Sequence, residues 1–252
     1  DGQNHIDLAV KTAPAGHGSG PGFVWLGGYR SDMAGTKAEA VVTQAAALGL
    51  ASLRYDYSGH GASSGKFEDG TISGWVAQSL AVLRAFSVGP QILVGSSMGG
   101  WIALRLVQEL QKLGEADRVA GLILIAPAPD FTSELMEARF SCEERAEITA
   151  KGFLSEPSAY SNEPNIITRK LIEDGRQNLV FNDNLHVGAP VRILQGMEDP
   201  DVPYTHALKL VHELPHDDVI LTMIRDGDHR LSRPQDIELL SALMRDMSIH
   251  SQ

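Results

Sequence analysis

Apolar residues recur along the chain in two rhythms. Residues 23–26 (Phe-Val-Trp-Leu), 91–94 and 119–125 are apolar almost without interruption, as expected of strands buried on both faces. Between them, residues 38–48, 71–86 and 98–112 repeat apolar positions near a period of 3.6, with Trp75, Val76, Leu80 and Leu83 marking the second stretch. Gly49 suits the end of the first helix, and Gly89-Pro90 ends the second. Residues 6–11 alternate like an edge strand, and residues 51–55 return to strand before the Gly/Ser loop 58–65. Later strands are predicted at 191–194 and 219–224, with helices from about 204 to 214 and 234 to 247. Strand and helix alternate, so the class is α/β, with a mostly parallel central sheet and helices on both faces.

One segment breaks the alternation. Between Pro129 and Gly188 no strand stands out, and Phe131, Leu135, Met136, Phe140, Phe153, Tyr160, Ile166, Ile167, Leu171 and Ile172 sit at roughly helical spacing among charges. A helical cap is therefore expected at about 130–188, inserted into a single domain spanning 1–252. A segment of roughly 60 residues far exceeds an ordinary connection and points to function.

Composition narrows the partners. Hydrophobic residues make up 43% and charged residues 21%, ordinary globular usage. A formal net charge of -11 repels phosphate backbones and anionic headgroups, so no nucleic-acid partner is expected. The single cysteine, Cys142, cannot form an internal disulfide, and no Cys/His spacing resembles a zinc site. The longest uncharged apolar run, 119–129, is about half a membrane span, so no integral membrane segment is expected. The residues from Asp1 to His5 lack the features of a signal peptide. A cytoplasmic location is expected, or a matrix one if a targeting segment has been removed.

Gly95-Ser96-Ser97-Met98-Gly99 matches G-x-S-x-G and lies between a buried strand and a helix. A sharp strand-to-helix turn lifts the central serine out of the sheet, and only small residues fit two positions to either side. Ser97 is the nucleophile on this reading. Ser96 would need Met98 as its small neighbour, and methionine is too bulky. A serine here excludes the dehalogenases and epoxide hydrolases that place a carboxylate at the elbow.

A serine hydroxyl needs a base, and the base needs an orienting group; after such an elbow they follow in the order serine, acid, histidine. Of nine histidines, only His229 falls just beyond the end of a late core strand, in Asp226-Gly227-Asp228-His229. The acid should follow the preceding strand, where Glu198, Asp199 and Asp201 all qualify by location. Asp199 is chosen because it stands three residues after Gly196, with Asp201 in reserve. Asp226 and Asp228 are too close to His229 in sequence and suit a turn. The oxyanion donors are expected to be the Met98 N–H and, from the loop after the 23–26 strand, the Tyr29 N–H, with Gly28 a near alternative. Residues 56–61 (Asp-Tyr-Ser-Gly-His-Gly) are expected to shape the pocket floor, with His60 a turn residue rather than a second base.

The run from Gly28 to Ala38 (Gly-Tyr-Arg-Ser-Asp-Met-Ala-Gly-Thr-Lys-Ala) resembles the mitochondrial palmitoyl-protein thioesterases of the α/β-hydrolase superfamily. So do the run from Gly89 to Trp101, residues 191–203 and Asp228-His229-Arg230, while the cap matches least. The resemblance implies an α/β-hydrolase fold, a triad of Ser97, Asp199 and His229, no cofactor, and an acylated or small-molecule substrate such as S-palmitoyl cysteine or an acyl glucuronide. The expected function is hydrolysis of acyl esters or thioesters. A carbon–carbon bond hydrolase or cofactor-free haloperoxidase on the same triad, or a non-catalytic acyl-ligand receptor, are the alternatives.

Overall fold

Phe23, Trp25, Ile92, Val94, Ile123 and Ile125 form one buried cluster, while Val24, Leu26, Leu93, Leu122 and Leu124 belong to another. Alternate side chains of the same strands thus fill two cores, one on each face of a sheet. In the computed structural model, which describes residues 5–18, 20–156, 164–182 and 185–250, that sheet has seven strands in the order β1-β3-β2-β4-β5-β8-β9. They are β1 (Val10–Ala13), β2 (Gly22–Leu26), β3 (Ser52–Tyr55), β4 (Gln91–Ser96), β5 (Val119–Ile125), β8 (Val191–Gly196) and β9 (Val219–Ile224). Only β1 runs antiparallel.

Helices α1 (Thr36–Ala47) and α7 (Pro234–His250) cover the first face, contributing Ala38, Val41, Leu240 and Met244 to its core. The second face is covered by α2 (Ile72–Phe86), α3 (Met98–Lys112) and α6 (Tyr204–His212), which supply Trp75, Trp101 and Leu210. The parallel sheet flanked by helices expected from the alternation is present.

The first strand starts later than the alternation at 6–11 suggests. It pairs only where β3 exists, from Val10 opposite Tyr55 to Ala13 opposite Ser52. Residues 7 and 9 run past that end, and their N–H groups donate instead to the Ser64 and Ser63 hydroxyls.

The inserted segment between β5 and β8 is not purely helical, which corrects the expectation. It contains a wide π-type turn (Thr132–Met136), α4 (Cys142–Lys151), β6 (Phe153–Glu156), β7 (Asn165–Thr168) and α5 (Arg169–Gly175). β6 and β7 pair antiparallel with Leu154 opposite Ile167, and those two side chains join Ile148 and Ile172 in a small core of their own. Each strand has only four residues, too few for a period of two to stand out against neighbouring helices. Tyr160, counted among the cap residues, lies outside the described residues, as do Asp1 to Asn4. Phe131 and Leu171 belong to the main core, so the segment is seated on the sheet's helices rather than tethered by its ends. At its base the buried Asp130 carboxylate accepts from the Val180 and Phe181 N–H groups, joining outgoing and returning chain. Burial pushes its pKa up to about 6, against the pull of those amide donors.

Candidate active site

The chain leaves β2 for β3 on one side and later inserts β4 on the other, so a crevice opens beyond the carboxyl ends of β2 and β4. Two of the sequence-predicted loops meet there. Ser97 follows β4 directly and takes φ 53°, ψ -117°, a strained backbone for a residue with a side chain. The glycines around it are a steric necessity: a Cβ on Gly95 would overlap the Gly99 carbonyl, and one on Gly99 would overlap the Leu26 carbonyl. The turn is that tight because α3 is packed hard against β2 and β4, with Met98 and Trp101 wholly buried.

β8 and β9 carry the other two groups to the same rim. The Ser97 Oγ stands 3.1 Å from His229 Nε2, and His229 Nδ1 stands 2.8 Å from Asp199 Oδ2. The histidine side chain is 21% exposed and the Asp199 side chain 0%, so the row runs from a reachable hydroxyl to a buried charge. That charge is well satisfied. Asp199 Oδ1 accepts from the Asp201 and Val202 N–H groups at 2.9 and 2.8 Å. Oδ2, besides facing the imidazole, accepts from Gln195 Nε2 at 3.3 Å. Four donors offset the desolvation that an isolated carboxylate would suffer here. The acceptor role of Asp199 requires His229 to carry its proton on Nδ1, which leaves the Nε2 lone pair aimed at the serine.

The remaining candidates are placed elsewhere. Glu198 is exposed, Asp226 pairs with Arg233 at 2.7 Å, and Asp228 accepts the Leu231 N–H as a turn residue. His206 is buried against the Pro129 carbonyl, and His186 pairs with Asp217. Asp201 donates its backbone N–H to Asp199, and its carboxylate also stands within 4.8 Å of the Asp199 carboxylate and the His229 ring.

Met98 opens α3, so its N–H belongs to the first turn, where helical amides lack internal acceptors. The Gly28–Tyr29 segment passes close beside: a Cβ on Gly28 would stand 3.5 Å from the Ser97 Cβ and 3.3 Å from the Ser96 carbonyl oxygen. The Tyr29 ring lodges among Phe67, Trp75 and Phe131, and its hydroxyl donates to the cap's Ile166 carbonyl at 3.4 Å. Burial raises the tyrosine pKa, so it stays a neutral phenol. Beside this loop lies a cleft of about 400 Å³ lined by Arg30, Asp32, His60, Phe67, Glu68 and the cap's Ile166.

Two neighbours of the row were not anticipated. Gln195, wholly buried, donates through Nε2 to Asp199 and to the Gly196 and Val202 carbonyls. A polar residue at the inward end of an apolar strand was the available signal. Lys37 Nζ donates to the Arg230 carbonyl, one residue past the histidine, and burial lowers its pKa to about 8. It stands on a helix distant in sequence, and nothing local marks it.

Known proteins resemble this chain in sequence and in shape. The alpha/beta hydrolase family profile matches residues 16–238. A mouse (Mus musculus) protein named palmitoyl-protein thioesterase ABHD10, mitochondrial, is 35% identical over 231 residues, covering 91% of this chain and 76% of its own length. The human (Homo sapiens) protein of that name is 33% identical over 245 residues, covering 97% and 78%. A crystal structure from Agrobacterium vitis S4 superposes with a TM-score of 0.94 at 56% identity, covering 98% of this chain and 95% of that one. The mouse alpha/beta hydrolase domain-containing protein 10 superposes at 0.85 with 32% identity, covering 98% and 96%. No helix among the described residues is long and apolar enough to cross a membrane.

Proposed function

The chain belongs to the alpha/beta hydrolase family, and from that premise we propose that it hydrolyses acyl esters and thioesters with Ser97 as nucleophile, His229 as general base and Asp199 as the acid behind the histidine. One observation carries the reading: the unbroken row from Ser97 Oγ through both imidazole nitrogens to a buried, fully hydrogen-bonded carboxylate. The names of the mammalian relatives, all palmitoyl-protein thioesterases, favour acyl transfer over the carbon–carbon and haloperoxidase alternatives.

Ser97 Oγ attacks the acyl carbonyl carbon as His229 Nε2 takes its proton. The carbonyl oxygen becomes an oxyanion, which the Met98 and Tyr29 N–H groups receive. Asp199 stabilises the imidazolium through Nδ1–H without taking the proton. The intermediate collapses, the bond to the leaving sulfur or oxygen breaks, and His229 returns the proton to it. Water then repeats the sequence against the acyl-serine: His229 accepts its proton, Ser97 leaves as the hydroxyl, and the free acid departs. No step calls for a cofactor. The expected location is the cytoplasm or, following the relatives' names, the mitochondrion.

The leaving group sets the order of substrates. A thiol with a pKa of about 8.5 departs far more readily than an amine, so thioesters and activated esters should be cleaved and amides should not. The test is a panel of acyl-CoA, S-acyl cysteine, p-nitrophenyl ester and matched anilide substrates. Thioester or ester turnover with an anilide rate at least about a thousandfold lower is expected. A vinylogous diketone cleaved faster than every acyl substrate would replace this reading with the carbon–carbon hydrolase.

A further inference from the structure

His60 is a buried histidine near this rim that the mechanism leaves idle. It is 4% exposed and walled by the edges and faces of Tyr57, Phe67 and Trp75, with ring centroids 5.6, 5.1 and 5.2 Å away. Both of its nitrogens are engaged. Nδ1 donates to the Ser58 carbonyl at 3.2 Å, a carbonyl that also accepts from Trp75 Nε1. Nε2 lies 3.2 Å from the Arg30 backbone nitrogen, which can only donate, so Nε2 must accept. This pairing specifies a neutral imidazole with its proton on Nδ1, and burial, which lowers the pKa, favours the same form. A second base would need a free nitrogen, and there is none.

The peptide that His60 grips is the next one after the Tyr29 N–H. Arg30 sits at φ 59°, a left-handed conformation that a residue with a side chain keeps only where its surroundings dictate it. The turn before it is closed by the Ser31 N–H and hydroxyl, both donating to the Gly28 carbonyl. A second brace crosses between the same two loops, where Asp56 Oδ1 accepts the Met33 N–H at 2.7 Å. The loop after β3 therefore holds the loop after β2 at residues 30 and 33.

We propose that His60 is a positioning residue for the oxyanion site: by accepting the Arg30 N–H it fixes the strained turn that aims the Tyr29 N–H at the developing negative charge. The inference rests on the acyl-transfer reading above, since without an oxyanion that amide has no ligand. A misaimed donor weakens binding of the transition state while leaving ground-state binding of substrate unchanged.

Two isosteric substitutions separate this role from simple packing. His60→Gln places a carbonyl oxygen near the position of Nε2 and keeps an acceptor for Arg30. His60→Asn places its amide near Nδ1, keeps the bond to Ser58 and leaves Arg30 without an acceptor. With a p-nitrophenyl ester, His60→Gln should retain kcat within about threefold. His60→Asn should lose about 10- to 100-fold in kcat with KM within about twofold. Its affinity for a trifluoromethyl ketone, which forms a tetrahedral oxyanion on the serine, should fall by the same factor as kcat/KM. Equal values for the two variants, whether high or low, overturn the proposal. So does a kcat loss in His60→Asn that leaves ketone affinity untouched, because that marks a smaller folded fraction. Ser97→Ala measured alongside keeps the two claims apart: wild-type turnover there refutes the serine mechanism, whereas its loss with a fully active His60→Asn refutes only the role of His60.

Discussion

Ser97→Ala is expected to lower kcat on a p-nitrophenyl ester by about 10⁴- to 10⁶-fold while leaving KM within a factor of about three. The size follows from what the methyl group cannot do. On the proposed mechanism the Met98 and Tyr29 amides and the acyl site are untouched, so binding survives. Attack must then come from water without a covalent intermediate, which leaves only the residual acceleration that binding and an oxyanion site provide. The fold should not suffer, because alanine removes a single half-buried oxygen whose one described partner is His229. Relief of strain at φ 53° is not expected either, since alanine carries the same Cβ into that region. Steady-state kinetics on protein with an unchanged thermal transition checks this, and a loss below about tenfold would remove Ser97 from the chemistry.

Asp199→Asn should cost roughly 10⁴-fold in kcat. The surroundings decide which way the new amide faces. Oδ1 receives the Asp201 and Val202 N–H groups, so the asparagine carbonyl must occupy that side. Its NH₂ is then turned toward His229 Nδ1, which must switch from donor to acceptor. The histidine proton moves to Nε2, and the ring can no longer take the proton of Ser97. Asp201→Asn is the control: its carboxylate stands within 4.8 Å of the histidine, but the backbone N–H by which it holds Asp199 survives the substitution. Turnover within about tenfold of wild type is expected there. The reverse ranking of the two variants would make Asp201 the acid.

The central sheet was legible because its strands are apolar on both faces, a pattern that residues 23–26 and 119–125 display without interruption. Ser97 was legible for a steric reason: the close approach of β2, β4 and α3 admits only glycine at positions 95 and 99, and this leaves a mark in the sequence. His229 and Asp199 could be proposed because strand ends in a parallel sheet share one rim, so position along the chain stands in for position in space. Cross-loop contacts leave no such mark. The bond from His60 to Arg30 spans 30 residues, and nothing local distinguishes that histidine from an ordinary turn residue. The hairpin of the cap was hidden by brevity, since Leu154 and Ile167 acquire their meaning only when paired. The late start of β1 has the same origin, because its length is dictated by β3 and not by its own alternation.

The serine mechanism stands or falls on one covalent bond. Acid-quenching the protein during turnover of a p-nitrophenyl ester, in wild type and in the slowed Asp199→Asn, allows intact mass and peptide mapping to find the acyl group. The mechanism predicts one added acyl mass, carried by the peptide that contains Ser97 and absent from Ser97→Ala. An acyl group on a different residue, or continued hydrolysis by Ser97→Ala at the wild-type rate with no adduct, would contradict it.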